Sequence, residues 1–453
     1  MATRQDQLHS YQFAVQRVVS ALVTREPDPV HAPFRRAAGA TLAGVLVAAI
    51  GVGAAAAWGA LAGGGREGWR RPDAVLVVRE TGARYVYREG RLHPVANLAS
   101  ALLLGGGSAP RRVGRAALAG APRGLPVGIR GAPDAVPARR DLAAGPWSVC
   151  SAERAAGPVA TLHVGRTPGG GAPLGDGGLL VGAAGAEYLV WHQRRYQLRR
   201  PVAVRRALGW SRHPATPVAA ALVNSLPPGA DLDAAPPPGR GRAVRELPGA
   251  RVGDVYVVRG QAGAADQYAV AVAGGLAPLS PLEAVLLLAA DPRGDGTARP
   301  LGVAAFARVP QRPVRTAPAA APPPTAPPLV AEPGGLCAVV GDDGVAEVRL
   351  RVPAGDPAAA VPTGRPAPGG VDLVAVPPGG GALVQATDAG VPVGAVSLVT
   401  DVGRRYALGG DEAVRALGYA GVVPRRLPAA VLGLLPAGPG LDPAAAAVHD
   451  PAG

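Results

Sequence analysis

Two residues could do covalent chemistry together. Cys150 and Cys337 are the only cysteines in 453 residues. No Cys-x-x-Cys occurs, and none of the seven histidines lies near a cysteine or another histidine at metal-ligand spacing. The pair would most simply form one disulfide if the domain carrying it stands outside the cytoplasm. Two separate buried thiols is the alternative if that domain is cytoplasmic. Other chemistry is poorly provided for. All 46 basic side chains other than histidine are arginines, so a phosphate-binding loop has no lysine to use. Its nearest remnant is Gly165-Arg166-Thr167, where the first glycine of the pattern falls on Ala160. Asp291 to Thr297 imitates a calcium loop but sets Arg293 at a ligand position, and reads as a polar turn. Arg293-Gly-Asp295 and Gly341-Asp-Asp-Gly344 read as loop and turn. A Gly-x-Ser-x-Gly elbow is missing. The expectation is a chain without catalytic, cofactor or metal residues.

The elements that would position the cysteines come from an internal duplication. Gly90 to Leu104 aligns without gaps to Gly274 to Leu288, with 7 of 15 positions identical. Arg194-Arg-Tyr-Gln-Leu198 matches Arg404-Arg-Tyr-Ala-Leu408, each followed by Ala-Leu-Gly and an aromatic residue, Trp210 or Tyr419. Leu226 to Asp233 and Leu435 to Asp442 close the second pair. The order is A, B, then C resembling A and D resembling B. Each unit starts with a strand-like stretch, such as Tyr85-Val-Tyr87 or Tyr188 to Trp191. A short helical pattern such as Pro217 to Ser225 follows. Units this small must pack on a neighbour or a shared centre. The cysteines lie at equivalent places, 60 residues after Gly90 and 63 after Gly274, each followed by a strand, Ala160 to Val164 or Ala346 to Leu350.

The expected fold is α/β: four small repeats around a β-rich core, with the central segments pairing face to face about a pseudo-twofold axis and cross-linked near it. Its boundaries are 74–109 for A, 187–235 for B, 252–292 for C and 391–443 for D. The central parts are 110–186 and 293–390, the second holding a proline-rich excursion at 310–333, nine prolines in 24 residues.

Ahead of this part lie two helical patterns. In residues 1–36, Leu8, Tyr11, Val15, Val18 and Leu22 recur at spacings of 3, 4, 3 and 4, one narrow apolar stripe. Thr3 and Asp6 form a capping pattern, and Pro27 and Pro29 stop the helix. With no core of its own, the stripe is expected to dock on another subunit. Residues 37–62 hold 26 residues without a charge, roughly 39 Å of helix and enough to cross a hydrocarbon core. A long polar segment precedes them, so they read as an uncleaved anchor. Arginines tie across the span: Arg17, Arg25, Arg35 and Arg36 against Arg66, Arg70, Arg71 and Arg79. Charge therefore leaves the orientation open. The net charge of +14 is spread without a basic tail or aromatic platform, which argues against nucleic acid. Anionic lipid or cell-wall polymer suits it better.

The opening residues Met1-Ala-Thr-Arg-Gln-Asp-Gln-Leu-His-Ser-Tyr-Gln-Phe13, then Gln16-Arg17, Ser20 to Val23 and Asp28-Pro29, closely resemble the start of the EccB family. That family is the membrane-anchored core component of type VII (ESX-type) secretion in actinobacteria. Gly131-Ala-Pro-Asp134, Pro146-Trp-Ser-Val-Cys150 and the repeat order extend the resemblance over most of the chain. It implies a cytoplasmic N-terminus, a single transmembrane helix and an extracytoplasmic C-terminal part. The implied partners are EccC, EccD and EccE family subunits and further copies of itself. Some EccB relatives carry an ATPase label, for which these residues offer no P-loop. A free-standing cell-wall-binding protein and a nucleotide hydrolase of another type are the alternatives to a structural subunit.

Overall fold

The computed structural model describes residues 3–24, 33–62, 68–233, 236–261, 263–291, 295–312, 320–342, 344–355, 359–364 and 368–448. Pro27 and Pro29, Arg293 of the calcium-like loop, and part of the proline-rich segment lie outside them. The chain forms two compact units. One holds residues 1–72 with 113–120, and the other holds 73–112 with 121–453.

The first unit contains two helices, Arg4–Thr24 and Pro33–Ala62. At the start of the first, the Asp6 carboxylate accepts from the Thr3 amide (3.1 Å) and the Thr3 hydroxyl (2.6 Å). This is the side-chain half of the expected cap. The hydroxyl first, and the amide second, hold the Asp6 pKa below its usual value.

The second unit is mixed α/β and built on sheets. Its central sheet has seven strands. Trp147–Arg154 and Gly157–His163 form one hairpin, and Leu336–Gly341 and Gly344–Leu350 form another. Trp147–Arg154 and Leu336–Gly341 pair antiparallel, with Cys150 directly opposite Cys337. The central segments thus meet edge to edge in one sheet, not face to face. The reason is the run of unpaired backbone groups on each hairpin, which another strand satisfies best. Each half then lends strands to the other. Ala172–Pro173 pairs with Gly344–Leu350, while Val361–Pro362 and Leu373–Ala375 extend the sheet beyond Gly157–His163.

Four further sheets have four strands each, in the order third, second, first, fourth. Their first strands are Ala74–Val78, Leu179–Ala183, Val255–Val258 and Gly381–Asp388. Two of these begin ahead of the boundaries expected at 187 and 391. Leu179–Ala183 is a near-continuous apolar run without the tyrosine of its neighbour Ala186–Trp191, and Gly381–Asp388 carries no aromatic residue either. The helix expected from Pro217 starts at Ala220, because Thr216–Pro217 is itself a short strand beside Val181 and Gly182.

In every one of these sheets a returning loop pairs with the third strand. The amides of Leu92, Arg195, Leu276 and Arg405 donate to the carbonyls of Pro122, Pro227, Pro310 and Pro436, at 2.8 to 3.1 Å. Proline serves here because only its carbonyl is needed. The segment 320–333 is likewise held down, by backbone bonds from Ala230 to Ala320, Leu282 to Pro324 and Val330 to Gly178. Over those residues the expected excursion is a strap.

The cores join distant parts of the chain. Val75, Val86 and Leu104 pack with Leu383, Tyr406 and Tyr419. Leu180, Tyr196 and Trp210 pack with Leu282 and Leu286. The first sheet therefore shares a core with the last, and the second with the third.

Candidate functional site: an uncovered helix and a cross-linked centre

The N-terminal helix presents all five stripe residues to solvent. Leu8, Tyr11, Val15, Val18 and Leu22 are 58, 72, 44, 60 and 77% exposed. Phe13 and Val19, off the five-residue stripe, are exposed as well and widen the apolar surface. The periodicity alone passed over them, since a strict 3–4 spacing admits one narrow line. Ser20, expected off the stripe, is buried. Exposing seven large apolar side chains on one helix is costly in water, at about 25 cal/mol for each Å². Such a helix is built to be covered.

The second helix contains a 19-residue stretch, Gly39–Ala57, with mean hydropathy 2.1 and none of it buried. At 1.5 Å per residue this covers about 28 Å, the thickness of a bilayer's hydrocarbon core. It lies within the expected span 37–62.

The cysteines are joined. Cys150 and Cys337 form a disulfide between neighbouring strands, 187 residues apart in sequence. Trp147 and Val149 in the same strand are fully buried with Ala338 and Val340 across the sheet. The cross-link therefore sits in a packed centre, tying the two hairpins to which each half contributes. No group of three or more histidine, cysteine or acidic residues that could hold a metal is found among the described residues.

The wording shared with the resembled family is structural. Asp134 binds Arg84 at 3.0 Å and accepts from the Leu98 amide, so it locks a loop to the first sheet and to the helix Leu98–Leu104. Asn97 caps that helix through Ser100 and donates to the Ile129 carbonyl at 2.7 Å. The Tyr419 hydroxyl donates to the Pro137 carbonyl at 2.8 Å, joining the last sheet's unit to the first half. Burial alone raises the Tyr419 pKa far above the usual range and keeps it a donor.

Residues 1–452 match the family model of the type VII secretion system ESX-1, transport TM domain B. The chain belongs to this EccB family. It is 31% identical to the ESX-3 secretion system ATPase EccB3 of Mycolicibacterium smegmatis, over 98% of this chain and 90% of that relative. Two solved structures are also similar. One is the EccB3 dimer from the ESX-3 core complex: 30% identity, TM-score 0.61, 83% of this chain and 100% of that one. The other is the periplasmic assembly from the ESX-5 inner membrane complex: 28% identity, TM-score 0.57, 83% of this chain and 95% of that one. As an EccB family member the chain is a membrane component of type VII secretion. The relatives' ATPase names find no lysine-bearing phosphate loop here.

Proposed function

We propose that this chain is a structural subunit of the membrane core of a type VII secretion complex. Its N-terminal helix lies on the cytoplasmic side, and residues beyond the membrane helix stand outside. The observation that carries the reading is the family match across residues 1–452. The disulfide supports the orientation, because such bonds persist in oxidising compartments. The exposed stripe supports docking on EccC, EccD and EccE family subunits. The dimer seen in a relative supports assembly with further copies.

The four small sheets are read as one ancestral unit used four times, A and C alike, B and D alike. Their common strand order and their parallel proline contacts favour that reading. The unit's role is mechanical: it builds a rigid body that presents surfaces to neighbours. Transport energy comes from a partner, since this chain lacks the lysine that would neutralise the β- and γ-phosphates in a P-loop mechanism.

The test is extraction in mild detergent, followed by identification of co-purifying proteins. Other type VII membrane components in fixed stoichiometry are expected. Recovery of the chain alone, in membranes where those components are present, would contradict the reading. ATP turnover by the purified chain should not exceed background.

A further inference from the structure

The arginine count that ties across the span leaves Arg66, Arg70, Arg71 and Arg79 with no part in setting its orientation. Among the described ones, Arg70 and Arg71 stand nearest the membrane helix in sequence, and both are exposed. Their segment is fixed by its neighbour. Trp69 is 5% exposed, and the Arg70 guanidinium lies 5.2 Å from the centre of its ring. The unit that holds the membrane helix also takes in residues 113–120. There the short turn Arg115–Leu118 buries Leu118 and leaves Arg115 exposed. One unit thus carries an apolar span and three exposed arginines beyond its end.

Carboxylates are few beside them. By sequence, residues 63–72 and 113–120 hold Arg66, Arg70, Arg71 and Arg115 against the single acid Glu67. Arg66 and Glu67 lie outside the described residues. The next carboxylate along the chain, Asp73, is already paired with Arg88 at 2.9 Å. The tether to the membrane is short. Five residues separate Ala62 from Gly68, so Gly68 lies within roughly 22 Å of the helix end even if they are fully extended.

We propose that Arg70, Arg71 and Arg115 form a docking surface for the anionic phospholipid headgroups of the leaflet on the body's side. The covalent link to the span chooses this occupant, because it keeps the arginines within reach of one leaflet. Guanidinium N–H groups match phosphate oxygens, and basic side chains beside a span are drawn to anionic lipid. The surface would hold residues 68–72 at the membrane, and it would do so for either orientation of the span.

The full chain, in nanodiscs of phosphatidylcholine, is given a phosphatidylglycerol with a photoreactive headgroup. A phosphatidylcholine carrying the same label is the reference. Peptide mapping should place the phosphatidylglycerol cross-links on residues 68–72 and 113–120, several-fold above the reference, with the excess lost in high salt. Changing Arg70→Gln, Arg71→Gln and Arg115→Gln together should remove most of that excess. Lipid binding about a hundredfold weaker is the scale of three such charges. Arg140→Gln, Arg206→Gln and Arg426→Gln, which remove equal charge from exposed arginines elsewhere, should keep it. Unlabelled phosphatidylglycerol should compete, and soluble glycerol phosphate should not. Cross-links that miss both segments, or equal labelling by the two probes, overturn the proposal on the wild type alone, whether or not the triple variant folds. So does a triple variant that labels as the control does. Competition by glycerol phosphate also overturns it, since the site would then be one for a free anion.

Discussion

The N-terminal helix and the disulfide-centred body solve the hydrophobic problem in opposite ways. The body buries its apolar residues internally: Val75, Leu162, Leu189, Leu276 and Val384 are all fully buried. The helix leaves Leu8, Tyr11 and Leu22 more than half exposed. Both regions carry regular apolar periodicity, yet among the described residues the body's apolar side chains are buried and the helix's stripe is exposed. On the proposed function, that uncovered stripe is where partner subunits dock. The same contrast separates rigid from conditional structure. An isolated helix of 21 residues is only marginally stable in water. The body is tied at its centre by a covalent bond.

The largest effect should come from breaking the helix side. Replacing Leu8, Val15 and Leu22 together by Asp should release the chain from the complex, because three buried charges would each cost several kcal/mol at a docked face. Membrane insertion should persist, read by carbonate extraction. A variant that still co-purifies in full would place docking elsewhere.

Removing the cross-link breaks the body side instead. In the chain-entropy model a loop of 187 residues is worth about 5 kcal/mol. The double change Cys150→Ala and Cys337→Ala should therefore move the body's denaturant midpoint sharply downward. Co-purification through the helix should survive at low temperature. Thiol labelling of the unreduced wild type should find neither cysteine free.

A third prediction uses pH. The folded state holds His163 neutral down to about 4, whereas the unfolded chain takes up that proton near 6.5. The unfolded state binds more protons between those values, so stability is complete above 6.5 and falls as pH drops toward 4. The difference is about 3 kcal/mol in order of magnitude. Between pH 6.5 and 4 wild type should lose about this much stability relative to His163→Gln, read by denaturant titration. A parallel pair of curves would assign the acid sensitivity to other groups.

The smallest effect sharpens the comparison inside the body. A Cβ at Gly229 or Gly438 would lie 2.2 Å from the ring of Tyr196 or Tyr406. Gly229→Ala and Gly438→Ala should each lower stability by about 1–3 kcal/mol, by similar amounts, and leave helix docking alone. Melting temperatures of the two variants check this.

These same residues show what sequence could and could not reveal. Tyr85 to Tyr87 and Tyr188 to Trp191 were readable as strands because aromatic and β-branched residues alternate there. The equivalent placing of Cys150 and Cys337 was readable because the duplication sets it. The first strands at Leu179 and Gly381 were not, since a short apolar run looks alike in strand and helix. Nor was the exchange of Ala172–Pro173 and Leu373–Ala375 between halves, because long-range pairing leaves no local mark. The small recess beside the disulfide that His163 lines was hidden for the same reason: its lining comes from segments nearly 200 residues apart.

The central claim is that the helix is completed by partners while the body is complete alone. Amide hydrogen exchange on the purified chain and on the intact membrane complex tests it directly. Residues 4–24 should exchange rapidly in the isolated chain and slowly in the complex, and residues 147–163 and 336–350 should be protected in both. Equal protection of residues 4–24 in both samples would contradict the account.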